Sequence, residues 1–154
     1  MTETALDNTN SPQTDTVAFL RIDAHLIDSV WSKCKDFLPD SFSPNAPSYD
    51  LNDVYDSLVS GETQLWVAVG HGKILAAAVT MITAEPKART LAVLNVGGKE
   101  LKSWVNQMDA AFTNFAAQHG CDYIEAVTRK GFHRFLPDFI EDGIVYIKRV
   151  GTVQ

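Results

Sequence analysis

Two stretches of the chain hold residues suited to proton and anion chemistry. In the apolar run Cys121 to Thr128, Tyr123 and Glu125 stand two residues apart, so a strand there puts both on one face. A carboxylate inside a strand is costly unless paired or solvated, which makes Glu125 a candidate base. A salt bridge to Arg129 or Arg134 is its ordinary structural reading. Tyr123 is a candidate proton donor, or else a core residue with its hydroxyl at the rim. The second stretch is Val96-Gly97-Gly98-Lys99, just ahead of a long segment of helical periodicity. The first amides of a helix lack partners and carry partial positive charge, and glycines let a ligand approach the backbone closely. Lys99 adds a cation there, and Glu100 partly offsets it. A glycine turn between strand and helix is the simpler reading. Arg129, Lys130 and Arg134 surround Gly131 and extend a basic corner able to take a phosphate, or are solvated charges at a turn. His133 is of a type that titrates near neutrality, though a surface helix position explains it as well.

These residues need elements to hold them. Residues Met1 to Thr16 are polar and without apolar period, and read as a flexible tail ahead of a single domain, 17–154. A strand is expected over Val17–Arg21. Asp23 then caps a helix with Leu26, Ile27, Val30, Trp31, Cys34, Phe37 and Leu38 at helical spacing, stopped by Pro39. Asp50 caps a second helix that ends at Ser60-Gly61. Strands follow at Gln64–Val69 and Ile74–Thr83, joined by Gly70-His71-Gly72, and at Thr90–Val96, which Gly97-Gly98 breaks. Lys99 to His119 is the strongest helix, with Trp104, Val105, Met108, Phe112 and Phe115 on one stripe and Gly120 in the C′ place. A strand over Cys121–Thr128, a short helix over Phe132–Leu136 and a strand over Ile144–Val150 complete the order β-α-α-β-β-β-α-β-α-β. This is an α+β fold with a central mixed sheet flanked by helices. One helix between Thr90–Val96 and Cys121–Thr128 makes those strands a parallel pair with a right-handed crossover.

Composition removes several functions. The 154 residues carry a net charge of −6 and 45% hydrophobic side chains, as in an ordinary globular domain. Residues 1–84 hold four basic side chains, and the other nine lie beyond, so no basic stripe suits a nucleic-acid backbone. No apolar run is long enough to span a bilayer, and the first basic residue is Arg21, so neither a membrane nor a secretory signal is expected and the cytoplasm is the default. Cys34 and Cys121 lack the spacing of a disulfide framework or a zinc site and read as small buried hydrophobes. No metal is expected.

In order along the chain, Leu65-Trp66-Val67-Ala68, Ala76-Ala77-Ala78-Val79-Thr80, Val96-Gly97-Gly98, the Leu101/Trp104 helix start, Gly120-Cys121-Asp122 and Arg129 to Leu136 resemble the core of the GNAT N-acetyltransferase superfamily. More narrowly, they resemble GNAT-like proteins encoded by tailed phages. The resemblance covers about Asp50 to Val150. It implies acetyl-CoA as cofactor, with pantetheine lying between Thr90–Val96 and Cys121–Thr128 where those strands part. It implies a pyrophosphate on the amides of Gly97, Gly98 and Lys99, with Val96, Arg129 and Arg134 also among the cofactor-binding residues. A small-molecule or protein amine would attack the thioester directly, with Glu125 and Tyr123 handling protons. The chain departs from the family's Arg/Gln-x-x-Gly-x-Gly/Ala loop at Leu94-Asn95-Val96-Gly97-Gly98-Lys99, and Phe132 to Phe139 has no Tyr. Those departures, with the polar tail, raise a rival expectation: a non-catalytic, ejection-associated virion component whose partners are other virion proteins. Host cytoplasm or virion would then be its location. A third reading is an adaptor that uses its acidic half.

Overall fold

A run of small and β-branched residues builds the centre of the sheet, and small side chains let helices settle close on both faces. The computed structural model describes residues 16–38, 50–127, 140–142 and 145–151. Seven strands form one sheet: β1 (Ala18–Ile22), β2 (Gln64–Gly70), β3 (Lys73–Glu85), β4 (Ala88–Gly98), β5 (Tyr123–Val127), β6 (Ile140–Asp142) and β7 (Val145–Arg149), in the spatial order β1-β2-β3-β4-β5-β7-β6. The helices are α1 (Ile27–Cys34), α2 (Leu51–Ser60) and α3 (Leu101–Gln118). The sheet is mixed: β4 and β5 are parallel and every other pair is antiparallel. The expected α+β order and the parallel pair are both present. The short strand β6 was not expected. The tail up to residue 15, the Phe132–Leu136 helix, Arg129, Lys130, His133 and Arg134 lie outside the described residues.

Ala76, Ala77 and Ala78 on β3 are all completely buried, because each sheet face carries its own core. One face packs Phe19, Trp66, Ala76, Ala78, Leu91 and Ile124 with the α3 stripe. The other packs Leu65, Val67, Ala77 and Val79 with α1 and α2. On the α3 face Phe19 stacks between Trp66 and Trp104, and Phe112 and Phe115 meet Trp66 edge-on. The buried indole N–H of Trp66 donates to Thr80 Oγ1 at 2.9 Å, and Thr80 donates to Gln64 Oε1 at 2.8 Å, so no polar atom in that chain is stranded.

Local signals set several ends correctly. Asp50 and Asp53 form a reciprocal capping box at the start of α2, and Gly61 closes it in the left-handed region at φ 87°. Two expectations need correcting. The helix expected after Asp23 is a 3₁₀ turn (Ala24–Leu26), then α1, then a second 3₁₀ turn (Lys35–Phe37). Asp23 makes no side-chain cap and instead faces Arg21 at 3.6 Å. Gly97 and Gly98 do not break their strand. They are its last two residues, paired with Ala77 and Ala76 of β3. No described helix is long and apolar enough to cross a membrane.

Trp104 joins core to loop, since its ring is buried while its indole N–H donates to the Lys99 carbonyl at 2.6 Å. Urea unfolding should show Trp104→Ala losing about 3–5 kcal/mol, mostly from the cavity. Trp104→Phe should lose about 1–2 kcal/mol, chiefly from the abandoned carbonyl.

Candidate functional site

The parallel pairing of β4 with β5 covers only four positions, Thr90↔Tyr123 to Val93↔Ala126, although β4 runs on to Gly98. The cause lies on the other edge of β4. Its register against β3 jumps from Val79↔Asn95 to Thr80↔Val93, so Leu94 is an extra residue, a bulge. A bulge bends its strand and increases the local twist, and here it sits just where β4 and β5 part. Beyond it, among the described residues, β3 is the one strand paired with β4, and a gap opens between the ends of the two parallel strands.

Backbone alternation decides what faces that gap. The Lys99 amide donates to the Leu75 carbonyl at 2.8 Å. In an antiparallel ladder alternate residues turn to the same neighbour, so Asn95, Gly97 and Lys99 bond toward β3 while Val96 and Gly98 turn their N–H and C=O toward the gap. Of the three amides expected to meet a pyrophosphate, that of Gly98 is available and those of Gly97 and Lys99 are used by the sheet; the Val96 amide also turns toward the gap. The Lys99 side chain is exposed beside them. The first turn of α3 follows, where the Ser103 amide bonds the Glu100 carbonyl and the Leu101 and Lys102 amides have no acceptor among the described residues. Glu100 enters that turn in the left-handed region, φ 58° and ψ 47°, without a side-chain cap.

The glycines have a different reason from the expected one. A Cβ on Gly97 would lie 2.0 Å from the Phe37 carbonyl oxygen, and one on Gly98 would lie 2.3 Å from Ala76 Cβ and 2.6 Å from the Leu75 carbonyl oxygen. Their missing side chains are filled by the protein's own packing: the Lys35–Phe37 turn lies on Gly97, and β3 lies against Gly98. Sequence alone could not distinguish this from room for a ligand.

Ile124 and Ala126 face the α3 core, so Tyr123 and Glu125 face the α1/α2 side by alternation. Glu125 is half-buried, opposite Ala92, one residue before the gap opens. Tyr123 is at the far end of the parallel pairing, about 10 Å from the opening along the strand. Arg149 holds it there, with its guanidinium 5.6 Å from the ring centre and a nitrogen 3.5 Å from the hydroxyl. The structure thus keeps Glu125 by the gap and sets Tyr123 back from it. Asn95, across from Val79, shares Glu125's sheet face and was not singled out from sequence; a polar side chain inside Leu91–Val96 was its signal.

Cys34 and Cys121 are buried as expected, and burial pushes the Cys34 thiol up to about 11, leaving it protonated at neutral pH. Among the described residues no group of three metal-ligating side chains converges.

Two outcomes follow from the backbone. Gly97→Ala and Gly98→Val should both lower the melting temperature, each losing about 1–3 kcal/mol, because they strike backbone or β3 before any ligand. Glu100→Gly should do the opposite and raise stability by up to about 1 kcal/mol, measured by thermal or urea unfolding, since glycine adopts φ 58° without the Cβ penalty.

No protein-family model and no curated protein matches the chain by sequence. Solved structures do match its fold. A Clostridium acetobutylicum protein described as a predicted acetyltransferase, solved with acetyl-CoA, superposes with a TM-score of 0.60 at 17% identity, covering 83% of this chain and 92% of that one. An IAA acetyltransferase from Bacillus cereus gives 0.56 at 13% identity, over 87% and 99% of the two chains. A GNAT-family acetyltransferase from Streptococcus agalactiae gives 0.56 at 12% identity, over 88% and 96%. The bulged β4, its short parallel pairing with β5 and the long crossover helix are therefore set in the fold of the GNAT acetyltransferases.

Proposed function

We propose that the chain binds acetyl-CoA in the gap between β4 and β5 and transfers the acetyl group to an amine. The observation that carries this reading is the gap itself, with the Val96 and Gly98 backbone groups turned into it. A pantetheine arm has amides that such an edge can pair with like a strand. The unpartnered Leu101 and Lys102 amides and the exposed Lys99 suit the pyrophosphate. Arg129 and Arg134 complete the phosphate site in this reading. The acceptor reaches the α1/α2 side of the sheet, where Asp28, Asp53 and Asp56 favour a cationic amine.

Bound acetyl-CoA supplies the activated thioester. As the amine attacks its acyl carbon, the C–N bond forms, the C–S bond breaks, and the thiolate leaves with the bonding pair. Glu125, beside the opening, accepts the proton the amine sheds. Tyr123 stands about 10 Å back along β5, beyond direct reach of the sulfur, so its part in protonating the thiolate runs through intervening water.

The second reading, a non-catalytic GNAT-fold component of a phage virion, draws support from the Gly97 and Gly98 packing and the Lys99 amide, all absorbed within the fold. Host cytoplasm is the setting in both readings, and the partners in the second are virion proteins.

Calorimetry with acetyl-CoA separates them. Saturable binding supports the enzyme, and its absence in the folded protein overturns it. With an amine acceptor, Glu125→Gln should lower kcat about 10²–10⁴-fold at unchanged acetyl-CoA affinity. Tyr123→Phe should lower kcat less, and an unchanged rate would remove Tyr123 from the mechanism.

A further inference from the structure

At the pole of the sheet opposite the gap lies a cleft of about 430 Å³, within the size range of small-molecule sites. Its apolar lining includes Ile22 and Ile82, which keep exposed surface, and the buried Leu65 and Phe115. Its wall holds Arg21, Arg89 and His119, and among the described residues Glu62 is the one acid that lines it. A basic cleft is unusual in a chain of net charge −6, and Arg21 is one of only four basic residues in the first 84.

Arg21 and His119 both lie against one ring, that of Phe115. The Arg21 guanidinium lies 5.4 Å from the Phe115 ring centre, and the His119 ring lies 4.2 Å from it. Arg89 Nε donates to the His119 carbonyl at 2.7 Å, which anchors this guanidinium against the last turn of α3 and offsets the negative end of that helix. A guanidinium has five N–H donors, so with Nε on the His119 carbonyl others remain. Among the described residues the Arg89 guanidinium forms no ion pair, the Asp122 carboxylate bonding the Arg89 backbone amide at 3.0 Å instead. Arg21 has Asp23 at 3.6 Å, with both side chains about half in water, a pair that competes weakly with a ligand.

We propose that this cleft is a binding site for a small organic anion, a carboxylate or a phosphate monoester with an apolar or aromatic body. The anion meets the planar donors of Arg21 and Arg89, and the body covers Ile22 and Ile82. The site is independent of the gap. Arg89 and Gly97 are eight residues apart on β4, about 26 Å, so both sites fill at once.

The test is an NMR titration of the full chain with phenyl phosphate, benzoate and inorganic phosphate. Saturable shifts are expected at the Arg21, Arg89 and His119 amides with Gly98 and Lys99 unmoved, and the stronger of phenyl phosphate and benzoate tells which anion the site prefers. Arg21→Gln, at an exposed position that spares the fold, should weaken that binding at least about tenfold. Arg89→Gln should do the same but also loosens the end of α3, so Arg21→Gln is the decisive variant. No saturable shift with either aromatic probe, or binding unchanged in Arg21→Gln, overturns the proposal. Inorganic phosphate binding as tightly as phenyl phosphate also overturns it, because the apolar lining would then contribute nothing.

Discussion

By inserting one residue into β4, the bulge at Leu94 bends that strand away from a neighbour it has paired with for only four positions. Paired strands satisfy each other's backbone groups, and a parted pair leaves them facing outward as donors and acceptors. The Val96 and Gly98 groups become usable only because β5 does not follow β4 past Val93. Were the ladder to continue, the same residues would be ordinary sheet and there would be no concavity for a ligand.

A gap at one end of two strands needs a firm clasp at the other, and Asp122 provides it. Its carboxylate accepts the Arg89 amide at 3.0 Å, its amide donates to the Arg89 carbonyl at 2.6 Å, and its carbonyl accepts the Val150 amide at 2.7 Å. One residue thus fixes the starts of β4 and β5 and the end of β7. On the α3 face, the nearly buried Lys148 of β7 bonds Asp109 at 2.9 Å and Thr113 at 2.8 Å, one helical turn apart on α3. A buried cation of this kind is tolerated because each contact is charge-assisted, and it adds specificity of position more than stability. The clasped end also carries the arginine cleft, so the two poles of the sheet are chemically distinct. One exposes backbone and a helix start, and the other exposes guanidinium groups.

The glycine pair shows how one residue type can serve two purposes. Gly97 admits the Phe37 carbonyl and Gly98 admits Ala76, so both are needed to bring the Lys35–Phe37 turn and β3 against β4. That packing holds the end of β4 straight and its free edge outward. That end of β4 is therefore preorganised from the side away from the gap, Gly97 acting only through this packing and Gly98 also turning its backbone groups into the gap.

Local order was legible in the sequence because its causes are local. The α3 stripe, the Asp50 capping box, the Gly61 stop and the alternating β2 strand follow from periodicities and caps that act within a few residues. The parallel pairing of β4 and β5 also followed, since a single helix between two strands leaves one favoured hand and direction. The placement of Glu125 on one strand face with Tyr123 came from the same period of two. The tertiary structure alone decided how far that pairing runs, that Leu94 is the bulge, and which chain atoms fill the space at Gly97 and Gly98. It alone decided that the β4–β5 register sets Tyr123 back from the gap beside Arg149, and that Arg21, Arg89 and His119 line one cleft at the other end of the sheet. Each of these joins residues far apart in sequence, and no propensity or spacing encodes the distance at which two such segments stop touching.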